Sequence, residues 1–561
     1  MSLQFGVKIK NIEASTLYEY NTGVRQYYSF KPAMFTNSLF CDFLKENGLK
    51  IKNSSTRDII CLEFNFGTRS YEEEVAHIEK MIVNETDEEK KEFYLELKAQ
   101  AELNKDKYKK LTKEEVREIF YRDGVNVTYV TKNPKGEITK TETLHYKMLY
   151  RSTGKAKKGS CMFIVDRLYK KSINYLRMGI KLPKHNAPIV EISAYAPLTS
   201  STIVDKIHID PSQILVIKDV DSFFETNVVS IETNENRECV AKQIENYKLK
   251  NTMFDGQGLI DESIFPKWAN GYVLLRHHFC KMACFRTDIQ QFFRDYFGHA
   301  YDTAIVTDMW GNKYKAKDIK LITTENAMKF LKFDGIDYAY WSEWVRANGS
   351  MFGIVKTAHE SKLGDVQRMS YQMVNALDMD IMSQVVEKSV NYIEQLKSND
   401  DVFLDYLLKN ANFFNDYEPL YELVQQDREF LRCEYFRERK YAIIKNYVDD
   451  FRRGRIIQNA DNLVIVGSPY AMLLHAVGED VEKDTTFEQH DDCIECFTNR
   501  FDNGEYLAEF RSPFNSRNGL GHLYNNRSSP IWDKYFYNLG DLIIAINMQH
   551  TFFQDANNGL T

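Results

Sequence analysis

Between Met373 and Arg453 the chain sets Leu, Ile, Tyr and Phe at three- and four-residue spacing and carries no glycine. An apolar stripe of that period predicts amphipathic helices packed on one another. The stretch is flanked by segments of another kind. Gln213-Ile214-Leu215-Val216-Ile217 lies before it and Leu542-Ile543-Ile544-Ala545-Ile546-Asn547 after it, both short apolar runs that read as buried strands. The class this order imposes is α+β, with a helical insertion over 373–455 between strand-bearing regions. The insertion closes on Arg452-Arg453-Gly454-Arg455, a basic run that reads either as a solvated helix end or as a nucleic-acid contact.

With 561 residues the chain is too long for one compact domain. We divide it into an N-terminal α+β region with a charged helical arm (1–145), a strand-rich region with a basic loop (146–372), the helical insertion (373–455) and a final strand region (456–561). A net charge of −7 excludes a protein-wide positive field, so any nucleic-acid site must be a local basic channel. Nine scattered cysteines and the absence of an apolar leader point to a reducing cytoplasm. No apolar run reaches the roughly 18 to 20 residues a membrane helix requires, so no membrane partner is expected.

Local signals place the motifs. A short helix is expected near Ser38, a strand over 58–66, and a charged helical arm from Tyr71 with a further helix starting at Thr112-Lys113-Glu114-Glu115. Asn133-Pro134-Lys135-Gly136 turns between strands at 125–131 and 137–150. Next come Arg151, Lys155, Lys157 and Lys158, with Gly154 and Gly159, between two apolar strands. Such a loop suits a phosphate backbone and equally suits an unbound surface. Further on, Asp255-Gly256-Gln257-Gly258 forms a turn, and 271–285 reads as one strand delivering Arg276, His277, His278 and Lys281. Alternation along a strand sends neighbouring rings to opposite faces, so at most one of the two histidines joins a site. A helix is expected over 325–333. Cys493 and Cys496 form a CxxC without the second ligand pair that zinc requires.

Taken together, Asp255-Gly256-Gln257-Gly258, Lys281, Phe510-Arg511-Ser512-Pro513-Phe514-Asn515 and Asn557-Asn558-Gly559 resemble the two-barrel (double-psi β-barrel) RNA polymerases, in particular the eukaryotic-type RNA-dependent and phage single-chain enzymes. Stretches at 146–159, 308–324, 353–372 and 500–515 are also similar to proteins of low-GC bacteria and their phages. The resemblance implies an α+β protein with two double-psi β-barrels, a helical insertion and an N-terminal α+β region. It implies template-directed addition of ribonucleoside triphosphates on an RNA or DNA template, with Mg2+ as cofactor. It assigns Lys281 and Arg511 as catalytic, and Arg276, Lys281, Arg511, Asn557 and Asn558 to substrate. The backbone of template or transcript falls to Arg151, Lys155, Lys157, Lys158, Arg452, Arg453 and Arg455.

The sequence departs from that family at one point. In the family an Asp-x-Asp-x-Asp loop follows the Asn-Gly pair and holds the metal; here Leu560 and Thr561 follow, and no such run occurs elsewhere, Asp378-Met379-Asp380 holding only two of the three acids. The expectation is a truncated, split or degenerate polymerase, inactive alone, with no metal ligands of its own and a separate C-terminal fragment as a possible partner. The alternative is a non-catalytic nucleic-acid-binding or assembly protein built on the same skeleton.

Overall fold

The structure is a computed structural model, and it describes residues 6–133, 137–151, 159–183, 185, 187–236, 238–369, 379–412, 415–490, 492–510 and 520–548. The chain divides into two units, each assembled from separated stretches: residues 1–214, 274–282 and 327–356 form the first, and residues 215–273, 283–326 and 357–561 the second. The class is α+β, as expected.

The first unit is centred on a six-stranded sheet in the order Lys31–Thr36, Gly6–Glu13, Ser55–Glu63, Ser160–Val165, Ile138–Tyr150 and Val125–Lys132. Only the pairing of Gly6–Glu13 with Ser55–Glu63 is parallel. The strand Ser160–Val165 is buried at every position, as its unbroken apolar run requires in the middle of a sheet. The two strands expected around residue 133 pair as a hairpin. Two helices start at capping boxes, Ser70 with Glu73 and Thr112 with Glu115, where side chain and backbone satisfy each other's otherwise orphaned N–H groups. The second of these is the start read from the sequence. The strand Met351–Thr357 pairs antiparallel with Asp205–His208.

In the second unit Gln257–Asp261 is buried throughout. It runs parallel to the later half of Cys280–Thr287, with Gln257 opposite Ala283, and antiparallel to Leu321–Thr324. A five-stranded sheet follows in the order Val464–Gly467, Ile543–Ile546, Ile494–Phe497, Leu520–Asn525, Tyr506–Phe510. Its first two strands are parallel, as are Ile494–Phe497 and Leu520–Asn525, while the other contacts are antiparallel. Both sheets therefore mix parallel and antiparallel neighbours. The insertion consists of the helices Met382–Ser398, Asp400–Asn410, Tyr417–Gln426 and Glu434–Arg452, closed on a core of Leu396, Phe403, Leu407, Leu420, Phe436 and Ile443.

One buried side chain joins the two sheets of this unit. The Gln257 amide donates to the carbonyl of Gly467 at 2.8 Å and accepts from the Gly467 N–H at 2.8 Å, so it completes the strand edge as a neighbouring backbone would. A Cβ at 467 would lie 2.5 Å from Met548 Cγ and 3.3 Å from the Met253 carbonyl, so a side chain there would have to displace Met548. Nearby, the Asp288 N–H donates to the Tyr535 carbonyl at 2.9 Å.

Candidate nucleotide and nucleic-acid interface

Where one strand was expected over 271–285, the structure has two, Tyr272–His277 and Cys280–Thr287, neighbours in a sheet. The turn between them seats Phe279 at φ 47°, a backbone conformation costly for a bulky side chain. Tertiary contacts hold it. Phe279 packs edge-on against Phe333 with centroids 5.1 Å apart, and the Trp341 indole N–H donates to the His278 carbonyl at 2.8 Å.

The turn also overturns the expectation that the two histidine rings face opposite ways. Because they sit where the chain reverses, both rings enter the first unit's core, their Nδ1 atoms 3.4 Å apart, among Tyr175, Trp341, Trp344 and Phe352. Both Nε2 atoms are buried without a hydrogen-bond partner. Burial lowers the His278 pKa to about 3, and burial together with His278 lowers that of His277 well below its usual value. The folded state thus binds fewer protons than the unfolded chain from pH 6.5 down toward about 3, so stability is full above pH 6.5 and falls as pH drops through that window. For His278 this is expected to cost about 2 kcal/mol at pH 5. In thermal unfolding followed from pH 7 to pH 5, His278→Phe should flatten the fall in Tm; a slope equal to that of the native chain would contradict this.

Arg276 and Lys281 both lie on this hairpin and are half-buried. The Cys280 thiol between them is pushed up to about 12 by burial, against the opposing pull of Arg276 and Lys329. Lys329 adjoins because Cys280 bridges Met328, and it shares with Lys332 the face of the Tyr195 ring, at 6.0 and 5.8 Å. The expected helix over 325–333 is instead two 3-10 turns, Glu325–Ala327 and Lys329–Lys332. The sequence reading missed these two lysines, although their spacing of three was a sign that they share a side.

Arg151 follows the strand Ile138–Tyr150 and is half-buried, whereas Lys155, Lys157 and Lys158 lie outside the described residues, as do Arg511, Asn557 and Asn558. Arg452, Arg453 and Arg455 are exposed at the end of the last insertion helix, two of them engaged with acids: Arg452 with Asp449 at 3.4 Å and Arg455 with Asp450 at 2.9 Å. Surface pairs of this kind are weak and exchange readily for other anions.

The five-stranded sheet of the second unit presents a cavity of about 660 Å³ floored by Ile465, Leu507, Leu523 and Ile544. At its rim Arg500 is held by Asp461 at 2.7 Å. Among the described residues one group gathers possible metal ligands, Glu488, His490 and Glu495, with ligand atoms within 4.8 Å of one another. It does not fit magnesium, which takes oxygen ligands. The Glu495 carboxylate already accepts from the Glu488 N–H at 2.7 Å and the Asn526 amide at 3.0 Å, and meets His490 Nε2 at 3.0 Å. That is a hydrogen-bonded brace. Burial raises the pKa of the neighbouring Cys493 and Cys496 thiols.

No protein-family model matches the chain, and no curated protein matches it. Among solved structures it is similar to the RNA-dependent RNA polymerase QDE-1 from Thielavia terrestris, with a TM-score of 0.46 and 10% identity over 97% of this chain. The match covers 51% of that polymerase, so the chain spans about half its length.

Proposed function

We propose that the chain is part of a template-directed RNA polymerase of the two-barrel kind and carries its barrels. The observation that carries this reading is the paired hydrogen bonding of Gln257 to Gly467, which fuses two mixed sheets in one unit where the expected turn at Asp255-Gly256 leads directly into the strand Gln257–Asp261. Lys281 and Arg276 are assigned to the triphosphate, where fixed cations act on charge that develops during phosphoryl transfer. Arg511 is assigned to the ribose, with Asn557 and Asn558 beside it in the substrate set. Arg151, Lys155, Lys157 and Lys158 track template or transcript, joined by Arg452, Arg453 and Arg455. Magnesium would enter with a segment that brings carboxylates, and no step here is drawn through it.

The polymerase reading requires single-strand binding. Each phosphate contact contributes about 0.7 to the slope of log K against log salt for single strands, so replacing Lys155, Lys157 and Lys158 together by alanine should flatten that slope by about 2. An unchanged slope in a filter-binding titration on single-stranded RNA and DNA would remove the basic loop from the interface.

A further inference from the structure

In the second unit a cavity of about 250 Å³ opens between the insertion helices and the segment 359–368. Three tyrosines from three helices line it. Tyr392 and Tyr406 each set their rings 5.8 Å from that of Tyr447, at inclinations of 56° and 83°. Three cations line it too: Lys362, Arg368 and Lys409, against the single carboxylate of Glu360. Asp405 and Asp450, which pair with Lys409 and Arg368 at 2.9 and 3.5 Å, are not among the lining residues. Lys362 meets only a neutral group there, the amide oxygen of Asn410 at 3.3 Å. Finally, Tyr447 is 6% exposed, with the Arg368 guanidinium over its ring at 4.8 Å.

We propose that this cavity binds a single nucleoside phosphate, its phosphate on Lys362, Arg368 and Lys409 and its base against the tyrosines. Charge-assisted bonds to phosphate and stacking on aromatic rings are the two interactions such a ligand needs. The volume sets the size: it falls just below the roughly 300 to 1,000 Å³ of pockets for drug-sized ligands, so it suits one nucleotide and no dinucleotide cofactor. An acidic peptide would use the cations but leave the rings idle. The ligand is either a free nucleotide or the terminal nucleotide of a strand. The proposal needs neither template nor metal, and it stands or falls apart from the polymerase reading.

The test is calorimetry on the full chain with adenosine monophosphate, uridine monophosphate, inorganic phosphate and a 5′-phosphorylated RNA oligonucleotide. The nucleotides are expected to bind, and Lys362→Ala, which removes an exposed cation from no core contact, should weaken them by about tenfold. Tyr392→Leu, which removes a half-buried ring lining the cavity, should weaken them several-fold. Competition between the oligonucleotide and the mononucleotide, lost in Lys362→Ala, would name a strand end as the source; binding of the mononucleotide alone would name the free form. Absence of nucleotide binding, binding indifferent to both substitutions, or inorganic phosphate binding as tightly as the nucleotides would overturn the proposal.

Discussion

Gln257→Leu is expected to destabilise the second unit by about 3 kcal/mol, because it strands the N–H and the carbonyl of Gly467 in a site where Gln257 itself is 1% exposed. The loss should be local. In hydrogen exchange read by mass spectrometry, protection of 464–467 and 543–546 should fall by about two orders of magnitude, while 160–165 in the first unit stays unchanged. Gln257→Glu is the informative control. It keeps the shape and one acceptor but loses the donor at neutral pH, and a buried carboxyl regains a proton as pH falls. Relative to the native chain at the same pH, it should therefore lose less stability at pH 5 than at pH 8. Equal protection in native and leucine proteins would show that the two sheets are held by other contacts.

The second large effect is expected at Gly271. Its backbone sits at φ +67°, and a Cβ there would come within 2.0 Å of the Leu539 carbonyl and 2.5 Å of Ile543 Cγ1. Neither a carbonyl in a turn nor a buried β-branched side chain yields such a distance, so Gly271→Ala should cost at least about 3 kcal/mol, combining overpacking with backbone strain. Gly311 separates the two contributions. It has φ +88° with nothing within 4 Å of the added carbon, so Gly311→Ala carries strain alone and should cost about 1 kcal/mol. Similar melting temperatures for the two variants would refute the close approach of Leu539.

Elements defined by local chemistry were legible in the sequence. Thr112 and Glu115 announce a capping box, and the glycine-free, periodic stretch announces its helices, because each signal lies within a few residues. The turn at His278 and Phe279 was not, since it contains none of the residues that normally reverse a chain and owes its form to Phe333 and Trp341. Nor was the joint between Gln257 and Gly467, which are 210 residues apart and individually ordinary. The candidate site divides the same way. Arg276 and Lys281 could be picked out on an apolar run, but Lys329 became their neighbour only through the bridge from Cys280 to Met328. The tyrosine and lysine cavity draws on helices and a strap whose meeting no spacing rule foretells.

The most direct test of the polymerase reading is ribonucleotide incorporation on single-stranded RNA and DNA templates with magnesium, by this chain alone and by a version extended past Thr561 through an Asp-x-Asp-x-Asp loop. The reading predicts synthesis by the extended protein only, and a fall of about a hundredfold or more in its Lys281→Ala variant, as for loss of a group that stabilises transition-state charge. An extended protein that binds the strands but makes no RNA on either template would contradict it and leave a nucleic-acid-binding protein.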